Sequence, residues 1–290
     1  MGSRGVPLLR VLREFDPWKG RLCTCPKKFS LSPYTGCAHS CLYCYTSAYI
    51  KEAFRPRPKR DFLRRLEADL DGMKPRSLIC MSTSSDPYTP PEEELGITRR
   101  AIRLILERGM CLLVMTKSDL VVRDLDVLSD RCAVSITVTT LDDRLASIME
   151  PRAPRPLKRI KALEKAGELG VPTILRLDPI IPGVNDDPRS IKEVLDAAES
   201  AGVRHVVSST YKVRPDNMRR MSVLPVRWEL YDLGETISGY RYLPKPIRMK
   251  ILGMVREEVL KMGMTFAVCR EGLPLNSPGV HCDGSHLISG

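Results

Sequence analysis

The chain has no run of about eighteen consecutive apolar residues, which excludes a conventional membrane-spanning helix. Residues 1–13 carry basic side chains among Val and Leu. They show no uninterrupted apolar stretch and no cleavage signature, so no secretory leader is expected. A cytoplasmic address and the absence of a membrane partner follow as expectations. There is no low-complexity tract, and no internal repeat beyond an alternation of strands and helices. The ten cysteines contain one C-x2-C unit, Cys41 and Cys44, and lack the second that a zinc site usually pairs with it. In a chain read as cytoplasmic they point to metal or redox chemistry rather than to a disulfide frame.

The 290 residues, 43% of them hydrophobic, suffice for one large domain with a sizeable core. The net charge is +11 and the isoelectric point about 9.2. That balance favours a polyanionic partner such as nucleic acid over the blander reading of a solvated basic surface.

The most informative stretch is 32–45. Cys37, Cys41 and Cys44 stand there in the spacing C-x3-C-x2-C, among Gly36, Tyr34, Tyr43 and Tyr45. Three thiolates this crowded suit a cubane iron–sulfur cluster with one iron left open better than a four-ligand zinc site. The competing reading, buried or disulfide-forming cysteines, fits poorly in a Gly/Ser/Tyr loop.

Around this loop the chain alternates. Short apolar, β-branched segments at 29–32, 77–82, 111–115, 133–138, 171–177 and 204–209 read as strands. Segments 98–107, 122–128, 156–169 and 190–200 read as helices, and a helix is expected from Cys44 to Ala53. Strands of this kind are buried on both faces, which means a parallel sheet. The expected fold is α/β, a partial (β/α)6 TIM-type barrel over 31–215. It has an N-terminal extension over 1–30, in which Val6, Pro7, Leu8, Leu9 and Trp18 are expected to pack on a barrel face. A mainly helical cap with a cysteine-containing tail covers 216–290, with helices at 227–237 and 246–262 and a last strand at 265–268. The cysteine loop follows the first strand, so it is expected at the C-terminal face, where barrel active sites lie.

The cysteine loop resembles that of the radical S-adenosylmethionine (radical SAM) enzymes. The resemblance implies that Cys37, Cys41 and Cys44 ligate a [4Fe–4S] cluster whose fourth iron takes S-adenosylmethionine (SAM), with Tyr43 near the adenine. The stretches 83–88, 116–118, 134–136, 150–154 and 178–183 follow in an order similar to the spore photoproduct lyase-like branch. By that resemblance Ser85, Lys117 and Ser135 hold SAM. Asp86 is a further candidate for the ribose or the SAM amine. Lysine and hydroxyls suit a ligand carrying a carboxylate and a ribose; serines and aspartates at strand ends also cap helices. One departure is Thr83, which stands where that branch carries a hydrogen-donor cysteine. Cys80 lies nearby but is expected to face elsewhere. The implied activity is reductive cleavage of SAM to a 5′-deoxyadenosyl radical that abstracts hydrogen from a substrate. The substrate expected first is nucleic acid, in DNA repair or RNA modification. An electron donor such as a ferredoxin or flavodoxin is implied. The alternatives are radical modification of a protein or small molecule, and a non-enzymatic iron–sulfur or zinc protein that binds nucleic acid.

A second set, Cys23, Cys25, Cys269 and Cys282, lies in two loop pairs near the chain ends. It suits an auxiliary [4Fe–4S] cluster or a zinc, with His281 and His286 as alternative ligands, against the reading of ordinary surface thiols. The Cys-Thr-Cys stretch and the ending from Cys282 to Ile288 also resemble an uncharacterised archaeal-type subgroup of the same family. Cys111 and Cys132 read as core. Basic and aromatic residues interleave at Tyr211, Lys212, Arg214, Asn217, Arg219 and Arg220, and again at Tyr240, Arg241 and Tyr242. They suit either a phosphate backbone with stacked bases or ordinary packing.

Overall fold

The computed structural model describes residues 9–15 and 22–289. Val6, Pro7, Leu8 and Trp18 of the extension lie outside the described residues. Its strands are β1 (Arg13–Glu14), β2 (Phe29–Leu31), β3 (Tyr34–Thr35), β4 (Arg57–Pro58), β5 (Leu78–Met81), β6 (Cys111–Thr116), β7 (Cys132–Thr137), β8 (Thr173–Ile180), β9 (His205–Thr210), β10 (Glu235–Ile237), β11 (Tyr240–Tyr242) and β12 (Thr265–Val268). One sheet runs β1-β2-β5-β6-β7-β8-β9-β12. Only β1 is antiparallel to its neighbour; from β2 to β12 every pairing is parallel. The sheet is the expected partial barrel, carried one parallel strand further than six because β12 pairs with β9.

The strands divide their side chains as period-two geometry requires. Outward residues such as Ile79, Leu112, Val134, Leu175, Val206 and Phe266 join the main core with the flanking helices. Those helices include Ile97–Glu107, Pro156–Glu168, Pro188–Ser200 and Lys245–Lys261. Inward residues Cys80, Leu113, Ala133, Ile174 and Val207 form a smaller cluster of their own. The extension is tied down at Val11 and Leu12, which are buried. The Asp69 carboxylate accepts the backbone N–H groups of Arg10, Val11 and Leu12.

Two expected helices are replaced. After Cys44 there is a single 3-10 turn, Thr46–Ala48, rather than a helix to Ala53. Ser47 Oγ donates to the Cys44 carbonyl and to Asp216, so its side chain competes with helix bonding. The segment 227–237 holds only a short helix, Glu229–Asp232, and then enters the β10–β11 hairpin. Ser238 and Gly239 both take left-handed φ, 51° and 77°, which a two-residue hairpin turn requires.

Candidate active site

The cysteine loop is held by backbone from several elements. Cys37 N–H donates to the Ala53 carbonyl (2.7 Å), Leu42 N–H to Met149 (2.9 Å), and Arg152 N–H to His39 (3.2 Å). Gly36 has φ +82°, and a Cβ there would overlap the Arg55 carbonyl oxygen. The helix Pro215–Met221 clamps the far side of the loop. Arg220 donates to the carbonyls of Leu42 (3.1 Å) and Cys44 (2.6 Å), and Asn217 Nδ2 to that of Tyr43 (3.3 Å). The clamp is itself fixed by the Tyr211 hydroxyl and the Arg214 N–H, which both donate to Asn217 Oδ1. Arg220, Tyr211 and Asn217 are therefore positioning residues for the loop. Their basic and aromatic character suggested a nucleic-acid rim, and no local signal pointed to a clamp.

The loop forms one wall of a cavity of about 260 Å3 at the C-terminal ends of the parallel strands. Cys37, Cys41, Tyr43 and Cys44 line it together with Ser82–Asp86, Lys117, Thr137 and, farther round, Arg176, Lys212, Tyr240, Cys269 and Arg270. Most residues singled out in the sequence thus share one space. Ser135 does not line it. It stands on the inward face of β7, two residues before cavity-lining Thr137, with a buried Oγ that has no partner. Thr83 lines the cavity and its carbonyl accepts from the Tyr45 hydroxyl (3.0 Å). Cys80 lies inside β5 and, unlike Thr83, does not line the cavity, as expected. It is buried one layer deeper, its Sγ 3.3 Å from Met115 Sδ. Cys111 and Cys132 are buried as expected. The basic run 55–65 contributes nothing to the cavity wall.

Asp86 is a junction. Its carboxylate accepts from Thr116 Oγ1 (2.7 Å), Lys117 N–H (2.8 Å) and Tyr88 N–H (2.9 Å), and lies 3.1 Å from His39 Nε2. Burial opposes its charge, but His39 and these hydrogen bonds hold its carboxyl down to about 2. It therefore locks the turn after β5 to the end of β6. Tyr43 donates to Glu150, which is fully buried and also paired with Arg159. Burial pushes the Glu150 carboxyl up, yet the Arg159 and Lys117 charges leave it below the usual range. Glu150 is a positioning residue whose only sequence signal was its place in the 150–154 stretch. The Lys117 ammonium stands 5.4 Å from the Tyr43 ring centre.

These residues fit a cluster and its SAM. Burial pushes the Cys37 thiol up to about 12 and the Cys41 thiol well above its usual range, so both are poor thiolates until a metal displaces the proton. Among the described residues no three metal-binding side chains surround a single ion position, Cys37, Cys41 and Cys44 included. Opposite the cysteines, Ser82 Oγ on the cavity wall is buried without a partner, a hydroxyl open to a ligand there.

The second cysteine set comes from the segment ahead of β2 and the segment after β12. Cys25 Sγ is 3.2 Å from Cys282 Sγ, and Cys25 N–H lies 3.5 Å from Cys23 Sγ. Cys269 lines the cavity. His281 Nδ1 pairs with Ser285 Oγ, His286 Nδ1 accepts the His281 backbone N–H, and His286 also stacks edge-on against His205. Of the second basic–aromatic stretch, Tyr240 lines the cavity, Tyr242 is buried under Lys212 and Arg248, and Arg241 points outward to Asp232.

Comparison with known proteins places this geometry. The model of the Radical SAM superfamily matches residues 31–195. An uncharacterised protein of Acidianus two-tailed virus is 30% identical over 216 residues, 67% of this chain and 70% of its own. An uncharacterised protein of Methanocaldococcus jannaschii is 31% identical over 55% of this chain and 62% of its own. Among solved structures, spore photoproduct lyase complexed with dinucleoside spore photoproduct superposes with a TM-score of 0.69 at 14% identity, covering 90% of this chain and 79% of that one. SuiB of Streptococcus suis bound to S-adenosylmethionine gives 0.58 at 14% identity, covering 88% and 54%. At such identities the likeness is one of fold.

Proposed function

The chain belongs to the radical SAM superfamily, enzymes that use a [4Fe–4S] cluster, SAM and an electron donor, and from that premise we propose a nucleic-acid substrate and assign roles to its residues. When bound, the cluster and SAM supply a 5′-deoxyadenosyl radical by one-electron reductive cleavage. Cys37, Cys41 and Cys44 hold three irons of the cluster. Lys117 and Ser85 take the carboxylate and hydroxyl groups of SAM, and Ser135 supports them from below. Tyr43, fixed through Glu150, is the flat surface beside the adenine. Asp86 acts mainly by setting the Lys117 backbone. The walls exclude water from the reacting atoms. The observation that carries this reading is a single cavity in which the three cysteines face Ser82–Asp86 and Lys117. The electron donor is proposed to be a ferredoxin or flavodoxin.

The substrate class rests on charge. The net charge is +11, and the cavity wall presents Arg270 with Tyr45 and Tyr240, while its Arg176 and Lys212 are paired with Asp178 and Glu271. Arg270 lies 4.9 Å from the Tyr240 ring centre, an arrangement suited to a phosphate beside a stacked base. A neighbour of similar fold binds a dinucleoside photoproduct. Another, SuiB, binds a precursor peptide, so modification of a protein is the second reading. With Thr83 on the cavity wall, a hydroxyl replaces the thiol of the photoproduct lyases, so repair by that route is not proposed.

The test is anaerobic reconstitution with iron and sulfide, followed by dithionite and SAM. The wild type is expected to form 5′-deoxyadenosine, and the Cys41→Ala variant none. An intact cluster without SAM cleavage in the wild type would sink the assignment.

A further inference from the structure

The sheet is open between its edge strands β1 and β12. Residues 22–28 lead into β2, and 269–289 follow β12 and end beneath β7, where the Ser289 N–H donates to the Asp130 carbonyl (3.1 Å). Leu22 packs against Gly272, where a Cβ would run into it. Lys28 and Asp283 form a buried ion pair. Gly284 sits on Ile174 of the inward face, and Leu287 and Ile288 pack on the inward cluster with Cys269. The tail thus plugs the barrel beneath the cavity.

Four thiols lie in these two segments, although as placed no three of them surround a single ion position. Cys25 and Cys282, 257 positions apart, have their sulfurs 3.2 Å from each other. Cys23 reaches Cys25, and Cys269 is near enough to Cys23, Cys25 and Cys282 to interact electrostatically with each. Cysteines that merely fill space have no reason to converge from three separate places in the chain. A disulfide joining Cys25 and Cys282 would leave Cys23 and Cys269 unused. Lys28 faces Cys25, and Arg176 and Lys212 face Cys269, each of these cations also being paired with a carboxylate, Asp283, Asp178 and Glu271 respectively.

We propose that Cys23, Cys25, Cys269 and Cys282 form a second, four-thiolate metal centre that clasps the segment ahead of β2 to the segment after β12. A thiophilic metal is the ligand chemistry, and two forms satisfy it, a zinc ion or an iron centre. With metal–sulfur bonds of about 2.3 Å, tetrahedral neighbours lie just under about 4 Å apart. The Cys25–Cys282 pair is already that close, and the metal draws in Cys23 and Cys269. Because Cys269 also lines the cavity, the clasp holds one patch of the active-site wall. Binding energy at such a site is folding energy.

The test separates this centre from the loop cluster. The variant Cys37→Ala/Cys41→Ala/Cys44→Ala is purified anaerobically and analysed for zinc, iron and acid-labile sulfide. The expected result is retained metal, about one zinc per chain or an iron centre of up to about four irons. Adding Cys282→Ser is expected to abolish it. Since that variant could fail to fold, the unsubstituted protein is also alkylated before and after treatment with a chelator. Cys23, Cys25, Cys269 and Cys282 are expected to be protected until the metal is removed. A metal-free triple variant combined with immediate alkylation of all four thiols in the unsubstituted protein would overturn the proposal. So would a Cys25–Cys282 disulfide in its peptides. None of these readouts depends on SAM cleavage, so the proposal can fail while the radical chemistry stands.

Discussion

Glu150 shows how one buried charge governs a reactive loop. Its carboxylate accepts from Tyr43 and from Arg159, and both members of the Glu150–Arg159 pair are almost fully buried. In Glu150→Gln the amide keeps the shape but leaves Arg159 charged and unpaired. Removing one partner of such a pair costs about 3–5 kcal/mol. Urea unfolding of the metal-free variant is expected to show a loss of this size, and Tyr43 loses its anchor beside the cysteines. An unchanged midpoint would mean that Arg159 finds another acceptor.

At the scale of the element, the cysteine loop depends on a backbone turn that only glycine fits. Gly36 combines φ +82° with an approach to Arg55 that leaves no room for a Cβ. The left-handed conformation alone costs about 1–2 kcal/mol in any other residue. In Gly36→Ala the overlap adds to this, and the Cys37 N–H bond to Ala53 must shift. Reconstituted iron per chain is expected to fall in Gly36→Ala and to hold in Gly96→Ala. Gly96 also has positive φ, 56°, but nothing lies within 4 Å of a Cβ there. Equal iron in the two variants would show that the loop tolerates the displacement. The same scale explains where sequence patterns misled. Hydroxyl side chains after Cys44 satisfy carbonyls that a helix would use, and a two-residue turn at Ser238 and Gly239 folds an apparently helical stretch into a hairpin.

For the whole molecule, the excess of 46 Lys and Arg over 35 Asp and Glu makes electrostatics the first term in any encounter with a polyanion. Nucleic-acid binding is therefore expected to weaken steeply with salt. Each neutralised phosphate adds about 0.7–0.9 to the slope of log affinity against log salt. Arg270→Ala, which removes a cation of the cavity wall, is expected to lower that slope by about one such contact. Titrations at several salt concentrations measure it. Wild-type binding that ignores salt, or no binding at all, would favour a peptide or small-molecule substrate. Among the described residues no helix is long and apolar enough to cross a membrane.

The chain's own order determined the fold class, because alternating apolar strands and amphipathic helices have one economical solution, a parallel sheet covered by helices. The spacing of Cys37, Cys41 and Cys44 favoured an iron–sulfur cluster, because three thiols that close in sequence are bound to be close in space, and the family resemblance of the loop supplied the chemistry. Tertiary structure alone decided what comes from afar. It brought Asn217 and Arg220 onto the loop carbonyls, placed Ser135 beneath the cavity rather than on its wall, and set Cys80 inward under Met115. It also brought Cys23 and Cys25 to Cys269 and Cys282 across nearly the whole chain. Such contacts have no local signal, since they arise only when the fold brings distant segments together.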